Sequence, residues 1–478
     1  MYNSIQHFIK FGAKNIKESM DQLIDEKKNF VDLILEVKKE LNELGSNIIS
    51  ELIEDMDDYL LDCEVRKASW EVVRKDATEI LTSFGAVRYK RTYFKNKKGE
   101  GYKHLVDEVV GINPHERVSE DVVINAIEEA VESSYRKAGE QATYYGEISK
   151  QAVMNKVHKI EVFDAPLEIK EKRDVKILYV EADEDHVAEQ VKEKKGNNKK
   201  NKRTLMPKLA YVHEGIDMDK STKKRTALKN IRYFGGYLKP EDLWLQVADY
   251  IDKQYKEESI ETIYISGDGA SWIRQGLSWI NKSKFVLDNY HLNKYLTAAT
   301  AHLNDEAMYY EVKDSLEWPD KDRLKKAFKK ILEITDSKTK IKSINKARRY
   351  MLNNWDGIAI KAEKGNEIVG CSAEGHVSHV YSDRLSSRPK GWSQIGVSQM
   401  SALRIYKKNG GKIYDLVMAQ KIKERNNKKI YAQEQLINSL RCFSTKYENI
   451  INTNIVAIDR GQKTGLYRSL RNIIGKIG

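Results

Sequence analysis

Residues 264–273 read YISGDGASWI. With Ile263, this is a run of strand formers that ends on a carboxylate, Asp268, set between Gly267 and Gly269. The ends of strands are where an open sheet presents functional groups. Glycines on both sides allow a sharp turn and the close approach of a bulky partner. A carboxylate without bulk beside it suits a divalent cation and a phosphate.

Working outward, residues 172–290 alternate strand and helix in the order β-β-β-α-β-α-β. VKILYVEAD, LAYVHEGI and ALKNIRYFGGYL are the first three strands. PEDLWLQVADYIDKQY is a helix with Pro240 near its start, where proline is favoured. IETIYISGD is the fourth strand, SWIRQGLSWI a helix, and KFVLDNYH the fifth strand. The fold class is α/β.

The first strand carries Glu181, Asp183 and Asp185 at alternate positions. A period of two puts them on one face, opposite Leu178, Val180 and Ala182. Like charges side by side repel, and a counter-cation removes that cost. Asp183 is the favoured ligand, with Asp185 as its substitute. A third acid, Glu374, lies in GCSAEGHVSHVYSDRL. Ser372 is expected to cap that helix, and Val377, Val380, Tyr381 and Leu385 form its apolar stripe. Glu374, three residues before Val377, is expected to point at the sheet. A glutamate at a helix N-terminus is also favoured by the helix dipole alone.

An acid on the first strand, one after the fourth and a glutamate on a late helix make the pattern of a ribonuclease-H-like active site. Two Mg²⁺ or Mn²⁺ ions held ~3.5–4 Å apart by such carboxylates can activate a water or a 3′-hydroxyl. The metal ligands and catalytic residues are then Asp183, Asp268 and Glu374. No other cofactor is expected.

The rest of the chain supplies context. The 478 residues are too many for one ordinary core. Residues 1–82 read as helical throughout, residues 83–115 as a basic β-hairpin around KNKKGEG, and residues 116–165 as helix-turn-helix-like. In the last, Ser119 is a candidate N-cap. ISKQAVMNKVHKIE places Lys150, Gln151 and Asn155 opposite an apolar face, as a DNA-recognition helix or an ordinary amphipathic helix would. The catalytic core occupies 170–294 and 366–408, a helical insertion 295–365, and a helical tail 409–478.

The net charge of +12 favours an anionic partner, with nucleic acid ahead of a membrane. No apolar run approaches the ~20 residues of a membrane span. The N-terminus lacks a signal-peptide core, and three scattered cysteines support neither a zinc ribbon nor a disulfide framework. A cytoplasmic, nucleoid-associated protein is expected.

FGAVRYKRTYF, VEADEDHV, ISGDGASWI and CSAEGHVSHVYSDRLSSRPKGWS together resemble a bacterial insertion-sequence transposase of the DDE type, of the Lre-two group related to Mutator-like elements. The resemblance implies Asp183, Asp268 and Glu374 as the triad. It implies double-stranded DNA as partner, at the element's ends and its target, and a homodimer or higher oligomer. Related families carry an Asp-x-x-His or Cys-x-x-His element on the fifth strand, here Asp288 and His291, expected to support the site. His376 and His379 flank the glutamate, with His376 an auxiliary candidate. Arg384, Arg388, Lys390 and the basic loop 192–203 are candidates to hold DNA backbone. A metal-dependent nuclease of the same fold, or a catalytically silent DNA-binding relative, would carry the same carboxylates.

Overall fold

A computed structural model describes residues 3–99, 101–167, 171–190, 203–223, 225–303, 305–388 and 390–427. The basic loop 192–203, except Arg203, and the tail beyond residue 427 lie outside the described residues. The described residues form two compact units, one within 3–126, 136–150 and 421–427, the other within 127–135 and 151–420.

In the first unit the helix Phe30–Asp62 opens with a capping box. Asn29 accepts from the Asp32 amide, and the Asp32 carboxylate accepts from the Asn29 amide. Strand β1 (Trp70–Thr82) follows, pairing antiparallel with β2 (Gly85–Asn96), which pairs with β3 (Tyr102–His104). Residues 70–82 therefore depart from the helical expectation for 1–82. The run is rich in β-branched residues and finds its partner across the turn at Ser83–Phe84, and such pairing outweighs local helix preference. The buried Asp57 carboxylate fastens helix to strand, accepting from the Thr92 amide (2.9 Å) and hydroxyl (2.7 Å). Residues 105–110, expected to be β, form a helix that ends at Gly111 with φ +87°.

The helix-turn-helix-like region contains helices Glu120–Glu132, Tyr135–Gln141 and Lys150–Lys159. Ser119 immediately precedes the first of these, and its hydroxyl donates to the Leu81 carbonyl at 2.8 Å. In the helix Lys150–Lys159, Val153 and Val157 are buried while Lys150, Gln151 and Asn155 are exposed.

The second unit is built on five strands: β4 (Ile177–Glu184), β5 (Lys208–His213), β6 (Arg232–Gly236), β7 (Thr262–Gly267) and β8 (Ser283–Leu287). Their order across the sheet is β8-β7-β4-β5-β6. β4, β5 and β6 form antiparallel pairs, whereas β7 lies parallel to β4 and β8 parallel to β7. The expected element order is found, with the second crossover made of two short helices, Ser271–Arg274 and Gly276–Trp279. Leu178, Val180 and Ala182 are fully buried, against a core that takes in Leu243, Trp244 and Val247 of the helix Pro240–Gln254. The helices between residues 289 and 363 add Leu296, Phe328, Ile344 and Met351 to that core.

Gly235 in β6 has φ +145°, and a Cβ there would stand 2.0 Å from the Lys208 carbonyl oxygen. Gly235→Ala is expected to cost about 2–4 kcal/mol, since both backbone conformation and strand contact must give. An unfolding free energy from urea titration within ~0.5 kcal/mol of wild type would contradict this.

Candidate active site

Because β4 and β7 run parallel, with Glu181 opposite Ser266, their C-terminal ends meet. Asp183 is the penultimate residue of β4, and Asp268 follows β7 directly. The Asp183 carboxylate accepts from the Glu184 amide and the Asp268 carboxylate from the Ala270 amide, both at 2.8 Å. Burial, and then the charges of Asp268 and Glu184, push Asp183 up to about 7 from its ordinary 3.8. Glu184 is raised for the same reasons, burial first and Asp268 among the rest, while the Trp272 indole N–H donates to its carboxylate. Glu184 was not singled out from the sequence, since alternation assigns it to the other face. At the last residue of the strand that division loses force.

Asp288 and His291 stand beside this pair. Asp288 donates its amide to the Gly267 carbonyl (2.9 Å), and its side chain caps the helix Asn289–Thr300. They sit at the strand-to-helix junction rather than within the fifth strand. His291 Nδ1 lies 3.0 Å from the Asp288 carboxylate. That bond, more than the charges of Asp268 and Asp183, raises His291 against the opposing effect of burial. Burial alone would raise Asp288, but the bonds from His291 and the Tyr290 amide outweigh it and hold the group low.

The flanking glycines answer to the protein's own packing. A Cβ on Gly267 would lie 2.7 Å from the Ala182 carbonyl oxygen. Gly269 has φ +86°, and a Cβ there would meet Asn354 Oδ1 at 2.4 Å. The Tyr350 hydroxyl donates to the Asp268 carbonyl at 2.6 Å. The expectation that these glycines admit a substrate gives way to a clamp around the turn.

Glu181 and Asp185 do not join the cluster. Glu181 is 2% exposed and accepts from the Tyr211 hydroxyl, the Ser372 amide (2.5 Å) and the Ser372 hydroxyl (3.2 Å), with His213 Nε2 at 3.0 Å. Those bonds overcome burial and hold its pKa low. Asp185, 8% exposed, accepts from the Ser386 hydroxyl at 2.9 Å. Both acids are buried among these donors, so the expectation of one outward acidic face is corrected.

Ser372, expected to cap, instead ties the start of the helix Ala373–Val377 to Glu181. The buried stripe of this helix begins at Ala373, four residues before Val377, and turns Glu374 outward into solvent. Glu374 is thus not directed at the sheet. His376 is held among tyrosines, its Nδ1 2.8 Å from the Tyr233 hydroxyl and its ring 4.4 Å from that of Tyr211. His379 is exposed, 3.6 Å from Asp383.

Arg384 is corrected as a DNA contact. It is 3% exposed, donates to the Ala130 carbonyl at 2.8 Å, and lies over the rings of Tyr135 and Trp392. Arg388 is exposed and Lys390 half-buried.

The structure therefore brings together Asp183, Glu184, Asp268, Asp288 and His291, and leaves Glu374 outside that group. Among the described residues no three His, Cys, Asp or Glu side chains converge closely enough to hold a metal ion. The donor chemistry of the Asp183–Asp268 pair nevertheless fits a hard cation: two carboxylates, one of them raised by burial and by the charge of the other. No helix among the described residues is long and apolar enough to cross a membrane.

Among solved structures, the Drosophila P element transposase strand transfer complex is similar at a TM-score of 0.21 and 11% identity, over 64% of this chain and 83% of that one. A UPF0236 protein of Caldanaerobacter subterraneus subsp. tengcongensis is 38% identical over 98% of this chain and 96% of its own length. Another from that organism, also 38% identical over 98% of this chain, carries eleven locus labels in its name. A relative from Streptococcus gallolyticus, described as a UPF0236 protein in the vanSb 3′ region, is 25% identical over 79% of this chain and 85% of its own. The family model matches residues 23–422, and the chain belongs to UPF0236, an uncharacterised protein family with many paralogues.

Proposed function

We propose that the protein is a DDE-type DNA transposase with a ribonuclease-H-like core. One observation carries the reading: Asp183 and Asp268 stand at the ends of adjacent parallel strands, and the charge of Asp268 helps to raise Asp183. The sheet order β8-β7-β4-β5-β6, three antiparallel strands followed by two parallel ones, supports it. So does a relative named for eleven loci, since repeated copies are what a gene that moves its own DNA leaves behind.

In this reading Asp183 and Asp268 would hold divalent cations, and Glu374, which faces solvent outside that pair, would join them as third carboxylate only after a rearrangement of the segment 372–377. Bound Mg²⁺ or Mn²⁺ supplies the charge that activates the attacking oxygen and stabilises the leaving one. His291, oriented through Nδ1 by Asp288, presents Nε2 to a phosphate oxygen. Lys150, Gln151, Asn155, Arg388 and Lys390 contact DNA. The nucleophiles are water and then the freed 3′-hydroxyl, so no covalent protein–DNA link forms. Two ends must be held at once, which calls for a homodimer or larger assembly.

The test is cleavage and joining of labelled DNA carrying the element's ends, in Mg²⁺ and in EDTA. Cutting is expected in Mg²⁺ alone, with joined product; cutting without joining would select a nuclease. Undiminished cutting in EDTA would remove the metal from the mechanism. Tight binding without any cutting would leave a silent DNA-binding relative.

A further inference from the structure

The helix Lys338–Asn353, KTKIKSINKARRYMLN, carries six basic residues and no acid. Ile344, Ala347 and Met351 bury one side against the core. At 100° per residue, Lys338, Lys342, Lys346 and Arg349 fall within about 80° of one another on the opposite side, and all four are exposed.

None of the four has an ion-pair partner among the described residues. The preceding helix Lys321–Glu333 also carries six basic residues, but four of them are engaged. Arg323 meets Asp314 at 3.3 Å, Lys325 meets Asp322 at 3.0 Å, Lys329 meets Glu333 at 3.9 Å and Lys330 meets Glu311 at 2.9 Å. Four unneutralised cations along one helix face repel one another, and a polyanion removes that cost.

The residue after Arg349 ties this same helix to the candidate active site. Tyr350 is the residue whose hydroxyl donates to the Asp268 carbonyl at 2.6 Å. The cationic line covers roughly 17 Å at 1.5 Å per residue and ends one residue from the anchor of the candidate active site.

We propose that Lys338, Lys342, Lys346 and Arg349 form a binding surface for the phosphate backbone of duplex DNA, which delivers the strand to Asp268. The assignment to DNA rests on the proposed function; the polyanion-binding surface rests on the helix alone. Such contacts position a duplex without reading its sequence, so affinity should depend steeply on salt and little on base order.

The experiment uses the full chain in EDTA, with a fluorescent 30-base-pair duplex of arbitrary sequence, and follows anisotropy from 50 to 300 mM salt. A variant with Lys338→Gln, Lys342→Gln, Lys346→Gln and Arg349→Gln should lower the salt slope by about 3–4 and weaken binding on the order of 10²–10³-fold at 0.1 M salt. A variant with Arg323→Gln, Lys325→Gln, Lys329→Gln and Lys330→Gln removes the same charge from paired positions and should lose less than half of that slope. Arginine at Lys338, Lys342 and Lys346 should keep wild-type binding, which separates lost charge from lost folding.

An unchanged slope in the first variant, or equal loss in the second, overturns the proposal. So does competition by phosphatidylserine vesicles or duplex RNA as effective as that by DNA. Because EDTA stops cutting, binding and reaction fail separately. A slope that falls without any Mg²⁺-dependent cutting sinks the transposase and keeps the surface; cutting with an unchanged slope does the reverse.

Discussion

Asp268→Asn is expected to reduce DNA cutting on the order of 10³-fold or more, and at the same time to make the metal-free protein more stable. The first effect follows if Asp268 is one of a set of carboxylates that act as a unit, where losing any member removes most of the rate. The second follows from the charge that Asp268 imposes on Asp183. Asp183 titrates near 7 in the folded chain and near 3.8 unfolded. Its contribution to stability is therefore full below about pH 4 and is lost as pH rises through 7. Metal-free wild type should melt lower at pH 8 than at pH 5. The asparagine removes the charge but leaves the burial, so it should recover part of the loss, about 1–2 kcal/mol at pH 8. Thermal melts in EDTA at both pH values, set beside cutting rates in Mg²⁺, measure both effects. A variant that melts below wild type at pH 8, or cuts at the wild-type rate, would dismiss the pairing of these carboxylates.

Glu181→Ala should destabilise the second unit by about 3–5 kcal/mol. It leaves the Tyr211 hydroxyl, His213 and the Ser372 amide without their acceptor, and all three lie in or beside the core. Glu181→Gln keeps the shape and one acceptor oxygen and should cost less than half as much. The depressed pKa of Glu181 gives a sign: its stabilisation is present above the ordinary carboxylate range and lost as pH falls through the folded value. Because the Ser372 bond fastens the start of the helix bearing Glu374, amide exchange at residues 372–376 should rise in the alanine variant even under native conditions. Alanine tolerated within ~1 kcal/mol, with exchange there unchanged, would show that the buried cluster fastens nothing.

The five-stranded sheet was legible because its signals are local. Alternating β-branched runs mark β4 and β7, and Pro240 marks the intervening helix. Asp268 was found from its two glycines, although their role differs from the expected one. What escaped depends on partners distant in the chain. Period two assigns Glu181, Asp183 and Asp185 to one face, yet only the register of β4 on β5 reveals that Tyr211 and His213 claim Glu181. Glu374 was read as inward because Val377 is apolar, when Ala373 holds that place on the stripe. Arg384 sits in a run that looks solvated, and the rings of Tyr135 and Trp392 that bury it are invisible locally. Residues 70–82 followed a long helix and were read with it, because a strand is fixed by its pairing.

The parallel pairing of β4 with β7 also sets a timetable. Asp183 leaves the ribosome well before Asp268, and Glu374 comes roughly 200 residues after Asp183, about 10–40 s later at ordinary synthesis rates. Antiparallel β4, β5 and β6 can pair as they emerge, whereas β7 must travel back to insert beside β4, a non-local step that closes slowly. A nascent chain thus carries Asp183 on a paired sheet for some time before Asp268 is set beside it.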